Sequence, residues 1–218
     1  MGGSVPPQTF LTNLSQRAEE VGQEQQLHST THPKNKVKIK VKIKTVGETR
    51  HWPEVPATFK SWPEYEDKAA SLRDWSPSIV TGLLQPEGYA RALISVQPHI
   101  TQETASARLA NRMQRQQRDN APAAWFIIDE LSLYREVGSA QTMASQLRHL
   151  LEVAAMPKVT IQVLPAVAHP VNASGFLMAD DAVWIEHAAG GFVYTEEELV
   201  SGIALRFDSL RAESYGAS

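Results

Sequence analysis

Hydrophobic and polar residues alternate most strictly between residues 36 and 44, where the chain reads KVKIKVKIK. Successive side chains of a strand point to opposite faces, so valine and isoleucine would lie on one face and lysine on the other. The segment is predicted to be a half-buried strand. It suits an edge strand whose lysines oppose aggregation. The alternative is a strand that binds phosphate groups. Lysines alone, without aromatic residues or the bidentate guanidinium groups of arginine, give little specificity for a ligand.

Apolar residues at three- and four-residue spacings predict most of the helices between residue 61 and the C-terminus. Thr101 and Asp129 are candidate N-caps, and Gly138 is expected to end a helix. A Thr195–Glu198 capping box is expected to begin the last helix, which runs to about Ala212. The other predicted helices are Pro63–Trp75, Pro86–Ile94, Thr101–Asp119, Glu130–Val137 and Ala140–Met156.

Apolar runs and alternating segments predict the strands of the same region. Asp180-Asp181 is expected to form a turn between two of them. The predicted strands are Ala123–Ile128, Lys158–Leu164, Ser174–Met178, Ala182–Glu186 and Gly191–Tyr194. The order of elements predicts an α/β (α+β) body at residues 61–218, with a helical N-terminal part followed by a small mixed sheet and flanking helices.

Residues 1–60 are predicted to be an N-terminal extension of the body. It would consist of a weak helix at Phe10–Leu27, the lysine-rich strand and a linker rich in proline and tryptophan. The net charge of the chain is −3, but six lysines lie between residues 34 and 44, so the remainder is clearly acidic. We therefore expect at most weak, nonspecific binding to nucleic acid.

Cysteine is absent from the sequence, which excludes disulfides, thiolate metal sites and cysteine nucleophiles. No apolar run approaches the length of a membrane span, and no signal peptide is recognisable at the N-terminus. These features predict a cytoplasmic protein that has no membrane partner.

Several short motifs follow one another in a fixed order from Trp62 onward. They are Gly82-Leu83-Leu84-Gln85, Tyr89-Ala90-Arg91-Ala92, Arg112 with Arg115-Gln116, Asp129-Glu130, Gln146-Leu147 and Val159–Pro165. This run resembles a domain of unknown function that follows XRE-type helix-turn-helix domains in actinobacterial, Streptomyces-like regulators. Thr81 and Pro86 depart from the usual signature, and no intact helix-turn-helix is recognisable ahead of the run.

The resemblance implies a regulatory domain that binds a small molecule or a small partner protein and has no functional DNA-binding module of its own. It is compatible with a homodimer. Relatives of this kind accompany specialised metabolism, including antibiotic biosynthesis. The alternative is a stand-alone, cyclase-like enzyme that shapes a hydrophobic substrate in the pocket of the domain. The usual catalytic signatures are absent, so whether the chain is an enzyme stays open.

A ligand pocket is predicted near the turn that contains Gly82. Its candidate residues are Gln85, Tyr89, Arg91, Arg112, Arg115 and Trp125. Gly82 would permit a tight turn, the following helix would offer free N–H groups, and the arginines would supply charge to an anionic ligand. The alternative is structural: Gln85 would cap the start of the following helix, Tyr89 would pack below it, and the arginines would form a solvated face. No cofactor and no metal site are predicted.

Overall fold

The computed structural model describes residues 62–98, 100–117, 121–166, 174–187 and 190–216. The predictions for the N-terminal extension, including the helix at Phe10–Leu27 and the lysine-rich strand, lie outside these residues. No helix of the described part is both long and apolar enough to cross a membrane.

The helices of the described residues largely follow the predicted periodicity. They are α1 (Trp62–Lys68), α2 (Glu87–Ser95), α3 (Gln102–Gln116), α4 (Glu130–Tyr134), α5 (Ala140–Ala154) and α6 (Glu197–Glu213), with a 3-10 turn at Gly82–Leu84. The Thr101 side chain accepts a hydrogen bond from the Thr104 amide, and Asp129 accepts one from the Leu131 amide. Both predicted N-caps are confirmed.

One mixed sheet holds all the strands of the described residues. They are β1 (Ser71–Ser76), β2 (Ala123–Asp129), β3 (Val159–Leu164), β4 (Phe176–Ala179), β5 (Ala182–His187), β6 (Gly190–Tyr194) and β7 (Tyr215–Gly216). Their order across the sheet is β6-β5-β4-β1-β2-β3-β7. Strands β1, β2 and β3 are parallel, and the remaining pairings are antiparallel. The predicted α/β fold with a mixed sheet is confirmed.

The predicted helix Pro63–Trp75 is wrong in its second half. The helix ends at Lys68, and Ser71–Ser76 forms a central strand between β2 and β4. Pairing with two distant strands outweighs the local helical pattern of this segment. The buried side chain of Asp74 is polar, so the alternation of apolar and polar residues that marks a strand is not visible in the sequence. The predicted capping box also fails, because α6 begins after Glu196 without a side-chain cap.

Helices cover both faces of the sheet. Phe126 of β2 points to the face that we call the α5 face, where it packs with Leu147 of α5. The next residue, Ile127, points to the opposite face, which we call the α6 face, and packs with Phe207 of α6. The result is a three-layer α/β/α arrangement with apolar cores on both sides of the sheet.

Candidate functional site

Two residues predicted to line a pocket, Gln85 and Tyr89, are buried. The Gln85 amide donates to the carbonyl of Val80, and its side-chain oxygen accepts from Arg112 at 2.6 Å. The Tyr89 hydroxyl accepts from the Val80 amide at 3.4 Å, and burial raises the pKa of this phenol. These contacts support the turn between Val80 and Gln85. The predicted cap by Gln85 is absent, because α2 begins after Pro86 without a side-chain cap.

Two further glutamines hold the same turn. Gln116 donates to the carbonyls of Gly82 and Gln85 at 2.8 and 2.9 Å. Gln146, on α5, donates to the carbonyl of Leu84 at 2.7 Å. A turn without neighbouring backbone partners needs such donors, because a buried carbonyl that lacks a hydrogen bond is costly. Both glutamines belong to the motifs quoted above, and their contacts give those motifs a structural role.

Gly82 has a different role from the one predicted. Among the described glycines only Gly138 has a positive φ, of 74°, so the backbone at Gly82 is open to other residues. A Cβ atom built on Gly82 would lie 3.4 Å from the Nε of Arg112. Position 82 therefore lies beside this guanidinium, and an added Cβ atom would make an ordinary contact with it.

The three arginines of α3 do not converge on a common ligand position. Each contacts a different element: Arg108 donates to Gln97, Arg112 to Gln85 and Arg115 to Glu66. Arg91, also predicted as a site residue, forms an exposed ion pair with Glu87 one turn earlier on α2. The four side chains thus tie separate parts of the helical layer together or face solvent.

The pair between Arg115 and Glu66 is the most buried ion pair described. Both guanidinium Nε and Nη2 donate to the carboxylate, the first at 3.0 Å. Trp62 donates its indole N–H to the same carboxylate at 2.7 Å, and the Glu66 side chain has no exposed surface. This geometry makes Arg115 a structural residue that neutralises a buried acid.

Asp74 lies on the α5 face near this ion pair and is also buried. Ser76 and Thr81 each donate a hydroxyl hydrogen bond to it at 2.7 Å. Burial raises the pKa of the Asp74 carboxyl to about 6, and the hydrogen bonds and the field of Arg115 oppose the rise only in part. The charged form of Asp74, which prevails at neutral pH, is therefore disfavoured by its burial.

The prediction that Tyr89 and Trp125 wall one pocket is wrong. Tyr89 belongs to the core on the α5 face, whereas Trp125 packs against the core on the α6 face. Neighbouring residues of a strand point to opposite faces, and Phe126 is the residue of β2 that meets the Tyr89 side. Trp125 instead donates its indole N–H to Gln162 of β3 at 2.7 Å.

An open groove of about 350 Å³ lies on the α6 face, where the parallel strands β1, β2 and β3 begin. In the strand register Arg73 is opposite Trp125, and Trp125 is opposite Thr160. These three residues form a row across the strands, because directly paired residues share a face. The groove is lined by Ser71, Leu72, Arg73, Ala123, Ala124, Trp125, Lys158, Val159, Thr160 and Arg211.

Three of the groove residues are cations, and none of the ten is an acid. Within the described residues the side chains of Arg73 and Lys158 make no hydrogen bond and no ion pair. Arg73 interacts with Asp180 only by electrostatic attraction at a longer distance. Arg211 lies over the Trp125 ring, 4.8 Å from its centroid, and forms a 3.4 Å ion pair with Asp208. Much of the positive charge in the groove is thus uncompensated.

Lys158 also has an unusual backbone conformation, with φ at 67° immediately before β3. Glycine is the usual residue there, since a side chain in the left-handed region is strained by about 1 kcal/mol. Its carbonyl accepts from the Ala124 amide at 2.8 Å, so the local geometry is fixed by the sheet. The strained backbone of Lys158 thus lies at the rim of the groove.

Of the groove, the sequence indicated only Trp125. Arg73, Lys158 and Arg211 are far apart along the chain and belong to no common motif, and the strand at β1 was predicted as helix. Only the register of β1, β2 and β3 and the docking of α6 bring them together.

The described chain is a three-layer α/β domain with a cationic groove where its parallel strands begin. Within it, no three histidine, aspartate or glutamate side chains are grouped so that they could hold a metal ion. A family model for a domain of unknown function (DUF5753) matches residues 59–217. The chain belongs to that family. A search of curated proteins gave no match.

Proposed function

We propose that this chain is a regulatory ligand-binding domain and that the groove on the α6 face is its binding site. It would bind a small molecule and act on transcription through a partner, as the resemblance to domains that accompany XRE-type regulators implies. Nucleic acid would bind only weakly and without sequence preference.

The contrast between the two candidate sites carries this proposal. Around the 80–85 turn the polar side chains described are engaged with the backbone or with each other, except that the side-chain oxygen of Gln146 is buried without a hydrogen bond. In the groove, Arg73 and Lys158 are not engaged, and Trp125 offers a partly exposed ring. A concave surface with a few converging polar groups and an aromatic wall suits ligand binding.

The cyclase-like alternative is less well supported by this geometry. Shaping an apolar substrate calls for an enclosed apolar chamber that excludes water. The groove is open and cationic, which favours reversible binding of an anion.

Filling the groove tests the proposal. Thr160 lies at the end of the row across the strands, and Thr160→Phe should occupy the groove while keeping a residue that suits a strand. The control is Thr195→Phe, at an exposed position before α6. Both variants and the parent would be melted with a panel of small metabolites, anionic and neutral.

We expect at least one compound to raise the melting midpoint of the parent and of Thr195→Phe, but not of Thr160→Phe. A ligand at 100 times its Kd adds about 2.7 kcal/mol, which is roughly 5–10 °C for a domain of this size. The proposal is wrong if every stabilising compound acts equally on Thr160→Phe, or if none stabilises the parent.

A further inference from the structure

We propose that the groove binds a small organic phosphate monoester, with Arg73 and Lys158 contacting the phosphate and Trp125 and Arg211 contacting the organic part. This inference rests on the proposed function and adds the chemical class of the ligand.

Charge is the first argument for a phosphate. Arg211 already shares its charge with Asp208, so the cations without an ion-pair partner are Arg73 and Lys158. The acid that interacts with Arg73, Asp180, is itself held by the amides of Ala70 and Ser71. Two positive charges match the dianion of a phosphate monoester better than a single carboxylate.

Position is the second argument. Arg73 and Lys158 stand on either side of β2, and the strands that carry or follow them are two strand spacings apart, about 10 Å. Long cationic side chains can meet across such a gap around one tetrahedral group. Arginine and lysine are the usual protein partners of phosphate. The Thr160 hydroxyl lies in the same groove and adds a possible donor.

The aromatic wall is the argument for an organic ester. Trp125 is held by the hydrogen bond from its indole N–H to Gln162, by a T-shaped contact with Phe207 and by Arg211 on its face. A ring held in this way presents apolar surface without a large loss of side-chain freedom on binding. The outer face of the Arg211 guanidinium can stack on a second planar group. The groove volume of about 350 Å³ suits a small ligand.

The test is a calorimetric titration of the full chain with phenyl phosphate in 0.15 M salt. Phenyl sulfate has a similar shape but one negative charge, and inorganic phosphate lacks the ring. Phosphate monoesters lose their second proton at about pH 6. Phenyl phosphate should therefore bind more tightly at pH 7.5 than at pH 5.5, whereas phenyl sulfate should bind weakly at both.

Lys158→Gly separates binding from folding, because it removes the charge and the left-handed strain together. We expect this variant to melt at or above the melting temperature of the parent, because the strain is gone. It should bind phenyl phosphate about 10- to 100-fold more weakly, because one charge-assisted hydrogen bond is lost. Arg73→Gln should weaken binding by a similar factor. Arg148→Gln, an exposed position of α5 on the other side of the sheet, should bind as the parent does.

Several results would overturn the assignment of an organic phosphate monoester. They are equal binding of phenyl sulfate and phenyl phosphate, equal binding of inorganic phosphate, parent-like binding by Arg73→Gln and Lys158→Gly, or tighter binding of a single-stranded oligonucleotide. If a compound without phosphate stabilises the parent but not Thr160→Phe, the groove remains the binding site and only the ligand class is wrong.

Discussion

Replacement of Arg115 by glutamine is expected to lower the free energy of unfolding by about 3–5 kcal/mol. The Glu66 side chain is fully buried, and the cation beside it supplies the charge that makes a charged carboxylate tolerable there, together with the hydrogen bond from Trp62. Glutamine keeps a hydrogen-bond donor but removes the charge, so the carboxylate stays buried without its counter-ion. Urea unfolding monitored by circular dichroism measures the loss.

Two comparisons make this prediction specific. The double variant Glu66→Gln, Arg115→Gln removes both charges and should recover more than half of the loss. Arg91→Gln breaks the exposed pair with Glu87 and should change stability by less than about 1 kcal/mol. If Arg115→Gln unfolds like Arg91→Gln, the buried pair does not stabilise the fold.

Asp74→Asn is expected to stabilise the domain at neutral pH by roughly 3 kcal/mol. The folded-state pKa of Asp74 is about 6, above the ordinary value of 3.8. The folded state therefore binds more protons between these values, and the contribution of Asp74 to stability falls as the pH rises from about 4 to about 6. Asparagine mimics the protonated acid and can keep the hydrogen bonds to Ser76 and Thr81.

The pH dependence distinguishes this effect from a general stabilisation. The variant and the parent should have nearly equal stability at pH 3.5, and the difference should grow to its full size by pH 7. Asp181→Asn, an exposed acid in the β4–β5 turn, is the control and should show no such growth. A difference between Asp74→Asn and the parent that stays constant from pH 3.5 to 7 would refute the explanation.

Features set by local chemistry could be predicted from the sequence. Thr101 and Asp129 cap their helices because a short polar side chain can reach the free amides of the first turn. Gly138 has a positive φ where a helix was expected to end, although the helix itself stops earlier, at Tyr134. The strands from β2 to β6 lie within about two residues of their predicted bounds, because their apolar patterns are strong.

Features set by distant pairing could not be predicted. The segment Ser71–Ser76 is a strand because β2 and β4 pair with it, and its own sequence carries an inward-facing acid and a groove-facing arginine. The pocket predicted near Gly82 differs from the groove on the α6 face for the same reason. Gln85, Tyr89 and Arg112 lie near one turn, but a sequence cannot show that their polar atoms are engaged there, or that Arg115 pairs with Glu66 instead. The groove cations become neighbours only through the sheet.

Two tryptophan indole groups report separately on the two places where a ligand could bind. The indole N–H of Trp125, which lines the groove, donates to Gln162, whereas that of Trp62 donates to Glu66, the buried partner of Arg115. The chain has five tryptophans, so a nitrogen-15 correlation spectrum is expected to show five indole signals, which single Trp→Phe variants would assign. On titration with phenyl phosphate, the Trp125 signal should shift progressively to saturation while the Trp62 signal stays in place. A saturating shift of the Trp62 signal with an unmoved Trp125 signal would contradict the account and return the binding site to the turn near Gly82.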